Sequence, residues 1–311
     1  MLAIFLETLP FFALIALGFG AGQAGVFGAE ATAALTRFVF FFPLSAMLFG
    51  FAANLSLGAI LDLRVVGAYL AGTTAVYLLA TAVGLARGLP VAESAVEAQC
   101  AVIGNLGFLG IPMFVILLGP ASAGPLLMLL ATDLIVFSSL IVILVTGSRG
   151  DVGWRTLGAV GLGLARNPMI VSIAAGLAWS ASGRALWGPA NEFLAILGAA
   201  ATPGALFAIG ASLAGKSAER LSVAAWLTAC KLLLHPAAVA LSALVLFPVA
   251  DRDAAVVMIA AAALPVAGNV YMLAQHYGVA PQRVSTAILV STALSIVTVS
   301  LTIGLLTEGP P

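Results

Sequence analysis

The chain has 311 residues, 62% of them hydrophobic and only 8% charged, with a mean hydropathy of +1.19. A water-soluble domain carries about three times that charged fraction, so lipid rather than water must solvate most of the surface. Twelve basic residues balance twelve acidic ones, so the charge balance gives no sign of a nucleic-acid partner, and none is expected.

A spanning helix needs about 20 mostly apolar residues. Such runs predict ten spans in chain order: 3–22, 33–53, 64–86, 94–118, 123–146, 167–183, 192–213, 222–247, 253–277 and 284–306. The first begins almost at Met1 without a basic flank and is long enough to span, so it is expected to stay in the membrane rather than be cleaved. The longest polar connection, from about Thr146 to Asn167, is itself rich in Gly and Leu, and no water-soluble domain is expected.

The loops after odd-numbered spans hold Arg37, Arg87, Arg149, Arg155, Arg166, Lys216, Arg220 and Arg283, and the opposite loops hold Arg64, Arg184 and Arg252. The positive-inside rule then puts both termini outside. The Ala/Gly/Leu-rich composition points to a multi-pass protein of a bacterial plasma (inner) membrane.

An offset of about 160 residues aligns Pro10 with Pro168, Gly18 with Gly176, Pro43 with Pro203, Gly50 with Gly210 and Gly119 with Gly278. Leu129 and Thr132 likewise meet Leu289 and Thr292. Five spans per half is an odd number, so the second half must enter the membrane from the opposite face. The expected fold is an all-α membrane protein of ten transmembrane helices in two inverted five-helix repeats, 1–147 and 167–311. A cytoplasmic connection, 148–166, joins them.

The fourth span contains Ile103-Gly104-Asn105-Leu106-Gly107-Phe108-Leu109-Gly110-Ile111-Pro112, and the ninth contains Leu264-Pro265-Val266-Ala267-Gly268-Asn269-Val270-Tyr271. Glycines weaken these turns and proline removes a donor, so both helices should break at similar depth. Freed backbone groups in hydrocarbon are costly unless they line a cavity, and paired broken helices are a transporter pattern. One shared cavity is therefore expected, with Asn105, Gly107, Gly110, Pro112, Pro265, Gly268, Asn269 and Tyr271 as the substrate site. The two asparagine amides either cap the half-helices or, with the helix N-termini, hold an anion.

Asp133 in the fifth span and Lys231 in the eighth are intramembrane charges, which are usually paired or functional. They are read either as a buried structural ion pair or as the element coupling a proton or Na⁺ to transport, with Thr132 and Gln99 as polar support. His235, one turn after Lys231, could relay protons or bond to a neighbouring helix. Glu93, Glu97, Asp251 and Asp253 sit where acids favour the helix dipole. Gly18 and Gly22 form a GxxxG packing motif.

Cys100 and Cys230 lie in apolar runs, and His235 and His276 are the only histidines. No disulfide framework, metal site or cofactor is expected. There is no HExxH or GxSxG and no ATPase engine is expected, so the chain is read as a gradient-driven or passive carrier, not an enzyme.

In the segments Gly104 to Pro112, Arg166-Asn167-Pro168, Thr202-Pro203 through Leu213, Leu264-Pro265 through Asn269, Tyr277-Gly278 and the Ser/Thr-rich last helix, the sequence resembles the auxin efflux carrier family. That family includes bacterial malonate and malate permeases and plant PIN proteins. The resemblance implies a sodium/proton antiporter-like fold, with helices 1, 2, 6 and 7 as a scaffold that forms a homodimer in the lipid. Helices 3–5 and 8–10 would form a moving core in which helices 4 and 9 cross. It also implies a small carboxylate at Asn105 and Asn269, and a charged support that maps by topology onto Asp133 and Lys231. The alternatives are an inorganic cation/proton antiporter of the same fold and a sensor or scaffold without turnover.

Overall fold

The computed structural model describes residues 2–55, 62–148, 154–214 and 221–308. Among them every regular element is helical. The first half runs α1 (Leu2–Gln23), α2 (Ala29–Phe41), α3 (Pro43–Asn54), α4 (Leu63–Ala86), α5 (Val91–Val102), α6 (Ile111–Leu118), α7 (Ala123–Thr132) and α8 (Ser138–Gly147). The second half runs α9 (Trp154–Arg166), α10 (Pro168–Ala181), α11 (Gly188–Ala199), α12 (Ala201–Leu213), α13 (Leu221–Ala229), α14 (His235–Leu241), α15 (Arg252–Ala262), α16 (Gly268–Tyr277) and α17 (Pro281–Glu308). Wide π-helical turns occupy Leu106–Gly110, Asp133–Phe137, Cys230–Leu234 and Ser242–Leu246.

Among the described residues, seven helices are long and apolar enough to cross a membrane, and the bent pair α9–α10 supplies an eighth by the same measure. The segments Val91–Leu118 and Arg252–Tyr277 fall short because each is interrupted near its middle, where the sequence places Gly104-Asn105 and Pro265. Large apolar side chains point outward, among them Leu17, Ile116, Phe193, Ile196 and Leu305, each more than 60% exposed. Only lipid tolerates such a surface. Of the bases that set the expected orientation, Arg149, Lys216 and Arg220 lie outside the described residues, as does the side chain of Arg155.

The 148–166 connection carries a helix of its own, α9. It meets α10 at an angle of 65°. Pro168 has no N–H to continue a ladder across the joint. Asn167 caps the new helix instead, its side chain accepting from the Met169 amide at 3.0 Å.

Two groups of helices organise the packing. In one, α1 packs on α12 and α3 on α10 and α11. These contacts are backbone-close because glycines face carbonyls: a Cβ on Gly18 would lie 2.1 Å from the Phe207 oxygen, and one on Gly176 would lie 2.7 Å from the Phe49 oxygen. In the other, α4 packs on α5 and α14, α5 on α8, and α13 on α17. A close backbone approach within it seats Gly72 of α4 against Ala238 and Val239 of α14. The broken segments lie within this second group.

Candidate functional site

The two breaks meet. Gly104 and Val266 form an isolated antiparallel bridge. Asn105 N–H donates to the Pro265 carbonyl at 2.9 Å, and Ala267 N–H donates to the Ile103 carbonyl at 3.0 Å. Val266 N–H is taken by the Ser291 hydroxyl of α17 at 3.1 Å. The backbone groups freed by Gly104 and Pro265 are thus largely satisfied by one another. This satisfies the requirement that buried backbone be paired by a route other than the expected cavity wall.

A groove of about 460 Å³ does lie beside the fourth segment, but it touches that segment at Pro112, Val115 and Ile116, not at Asn105 or Asn269. It runs between α6 and the α3–α11 pair, and its polar groups include Asn54 and Asn191, whose amides are 3.4 Å apart.

The substrate residues expected from the sequence therefore divide. Asn105, Pro265 and the start of α16, which holds Gly268 and Asn269, are brought together at the crossing. Neither asparagine side chain caps a half-helix: Asn105 contributes its carbonyl, which accepts from Leu109 and Gly110, and α16 starts at Gly268, after Ala267, without a side-chain cap. The capping alternative is thus not what the structure adopts. Asn105 is buried, and the Asn269 Oδ1 is buried with no partner among the described residues. A Cβ on Gly268 would meet nothing within 4 Å, so space remains there. Gly107 and Gly110 are instead covered by protein, with the Met169 methyl 2.6 Å from a Cβ on Gly107 and a Leu264 methyl 2.6 Å from one on Gly110. Pro112 is carried away to the groove. Tyr271 is half-buried on α16, one turn beyond Gly268.

Both intramembrane charges open or occupy wide π turns, Asp133 in 133–137 and Lys231 in 230–234. Such turns often sit at functional positions because the extra residue per turn re-aims a side chain. Among the described residues the two charges make no ion pair within 4.0 Å. Asp133 Oδ1 accepts from the Tyr69 hydroxyl at 3.0 Å, and its Oδ2 has no partner among the described residues. Lys231 bonds His235 Nδ1 at 3.1 Å and donates to the Ala262 carbonyl, the end of α15. His235 Nε2 lies 3.0 Å from the Thr73 hydroxyl of α4. His235 therefore bonds to a neighbouring helix, as one of the two sequence readings had it.

Lys231 also reaches the crossing: its Nζ is 3.3 Å from where a Cβ on Gly104 would sit. A cation here faces the C-terminal ends of α5 and α15 together, where the helix dipoles favour positive charge. Of the polar handles, Thr132 bonds back to the Met128 carbonyl at 2.8 Å, and the buried Gln99 Oε1 has no partner among the described residues.

Tyr69, Thr73 and Ser291 were not singled out from the sequence. The signal for the first two is present: Tyr69, Thr73, Tyr77 and Thr81 recur every fourth residue in the span, which makes a polar stripe along one helix face. Glu93 and Glu97 do more than favour a helix dipole. The Arg283 guanidinium bridges both, at 2.8 and 3.0 Å, and Arg87 binds Glu97 at 2.8 Å, which ties α4, α5 and α17 together at one end.

Comparison with known proteins gives two matches. The family described as Membrane transport protein matches residues 3–303. A protein of Rhizobium meliloti (strain 1021) named "Putative malonate transporter" is 29% identical over 308 residues, covering 97% of this chain and 95% of that one.

Proposed function

This chain belongs to the membrane transport protein family, the auxin efflux carrier group, and from that premise we propose that it carries a small organic anion bearing a carboxylate. The family makes it a multi-pass membrane transporter of a small molecule rather than an enzyme. In our reading there are ten crossings in two inverted repeats, and substrate binds where the fourth and ninth cross. The core then moves against the α1–α3 and α10–α12 scaffold, through which two copies associate. A proton or Na⁺ is coupled through Asp133 and Lys231, with Thr132 and Gln99 as support.

The observation that carries the carboxylate reading is Lys231, buried beside the paired breaks. One fixed cation and half-helix N-termini at the same depth suit a single carboxylate. The repeat is supported by reciprocal packing. Gly18 faces the Phe207 carbonyl and Gly176 faces that of Phe49, and the same 158 positions separate Gly18 from Gly176 and Phe49 from Phe207. The name of the Rhizobium relative supports a dicarboxylate such as malonate as the first substrate to test.

The test is thermal stability of the purified protein against mono- and dicarboxylates and indole acids, with Na⁺ and pH varied. We expect a rise in Tm with at least one carboxylate. A response to Na⁺ or Li⁺ alone, with none to carboxylates, would replace this reading with a cation/proton antiporter.

A further inference from the structure

We propose that His235 is a positioning residue, a neutral imidazole locked in its Nε2–H tautomer, whose task is to aim the Lys231 ammonium at the crossing. The proposal rests on the carboxylate-carrier reading for its consequence, though not for its geometry.

An ammonium donates and cannot accept. With Lys231 charged and 3.1 Å from His235 Nδ1, Nδ1 is the acceptor and carries no proton. The one remaining imidazole proton is then on Nε2, and it points to the Thr73 hydroxyl at 3.0 Å. Both ring nitrogens are occupied, and all three residues are buried. A second proton on the ring would set two cations 3.1 Å apart with no water between them, and would turn the acceptor of the lysine into a competing donor.

The Ala262 carbonyl is also within hydrogen-bond reach of the ring, and in this assignment the Lys231 ammonium, not the ring, donates to it. Tyr69 of α4 packs against it at 5.9 Å between centroids, and its hydroxyl is committed to Asp133. Helix α15 offers the Ala262 carbonyl, which takes a second hydrogen of the ammonium. Thr73 and Tyr69 stand one turn apart on α4, so a single helix face fixes both the histidine and the aspartate. With two ammonium hydrogens held by His235 and Ala262, one remains beside Gly104, at the paired breaks. The histidine thus acts as a brace rather than a relay.

The chain has only two histidines, and the other, His276, is exposed. ¹⁵N NMR of histidine-labelled protein in nanodiscs at neutral pH therefore reads the ring directly, with His276 as internal reference and His235→Asn as assignment control. We expect His235 as a single neutral tautomer with a bare, hydrogen-bonded Nδ1. Lys231→Met should move the Nδ1 resonance and mix the tautomers, while Thr73→Val should act on Nε2. An Nδ1–H tautomer or an imidazolium in the wild type would overturn the proposal, and the wild-type spectrum stands even if a variant fails to fold. No substrate enters this measurement, so it fails or succeeds separately from the carboxylate reading. The consequence is tested with malonate and indole acids: His235→Asn, which keeps an acceptor near Nδ1, should retain most of the ligand-induced rise in Tm, and His235→Leu should lose it. Equal loss in both variants would reduce His235 to a packing role.

Discussion

A methyl group added to Gly210 and one added to Gly268 meet opposite fates. At Gly210 it would lie 1.9 Å from the Ile15 carbonyl oxygen, on a helix packed at backbone distance. Overpacking of this kind costs about 1–3 kcal/mol, so Gly210→Ala should lower the Tm of detergent-solubilised protein clearly. At Gly268 the methyl would meet nothing within 4 Å. Gly268→Ala should leave the Tm of the free protein nearly unchanged while weakening the carboxylate-induced rise, because the space it fills is the space left at the crossing. An unaltered ligand response in a stable Gly268→Ala protein would move the site away from that helix start. The two glycines look alike in sequence. What separates them is whether another backbone lies opposite, and only the folded chain supplies that.

At the scale of elements, the broken helices were legible because their causes are local: Gly and Pro weaken or remove ladder hydrogen bonds wherever they stand. The way the breaks are satisfied was not. Pairing of Asn105 with Pro265 joins residues 160 positions apart, and nothing local distinguishes it from a water-lined cavity. The π turn at Asp133 was also invisible, since Asp133-Leu-Ile-Val-Phe137 contains no glycine or proline to announce a widened turn. The acids of α5 show a similar shortfall. Their place near a helix start was readable, whereas their partner Arg283 comes from the last helix. That cluster carries its own prediction. Glu97 is 1% exposed and serves two arginines. Glu97→Gln removes the carboxylate shared by Arg87 and Arg283, leaving Arg283 with Glu93 alone, and should cost about 2 kcal/mol. Arg87 lies partly in solvent, with 35% of its side chain exposed, so Arg87→Gln should cost under about 1 kcal/mol. Chemical unfolding of the two variants in the same detergent measures the difference.

For the whole molecule, the apolar runs conveyed an all-helical chain with several membrane-length helices, because lipid imposes one length and one polarity on every crossing. The proposed movement of one packing group against the other can be tested by freezing it. Met47 of α3 and Gly198 of α11 belong to one group, and a Cβ on Gly198 would lie 3.3 Å from that of Met47, close to the roughly 3.5–4.5 Å of a disulfide. Gly107 and Met169 belong to different groups and touch. In a background with Cys100 and Cys230 replaced, a Met47→Cys/Gly198→Cys disulfide should leave malonate counterflow intact. Mercury bridging of Gly107→Cys/Met169→Cys should stop it. Continued flux through the second cross-link would show that the groups do not slide past each other there.

The joint at Asn167 and Pro168 bears on the same motion. Helix α10 closes its own first turn through the Asn167 side chain, and Pro168 contributes no donor that α9 would have to receive. Each helix is hydrogen-bonded as if it ended there, so a change in the 65° angle leaves both ladders whole. If the proposed motion occurs, the link can serve as an elbow, its angle changing while upper arm and forearm each stay intact.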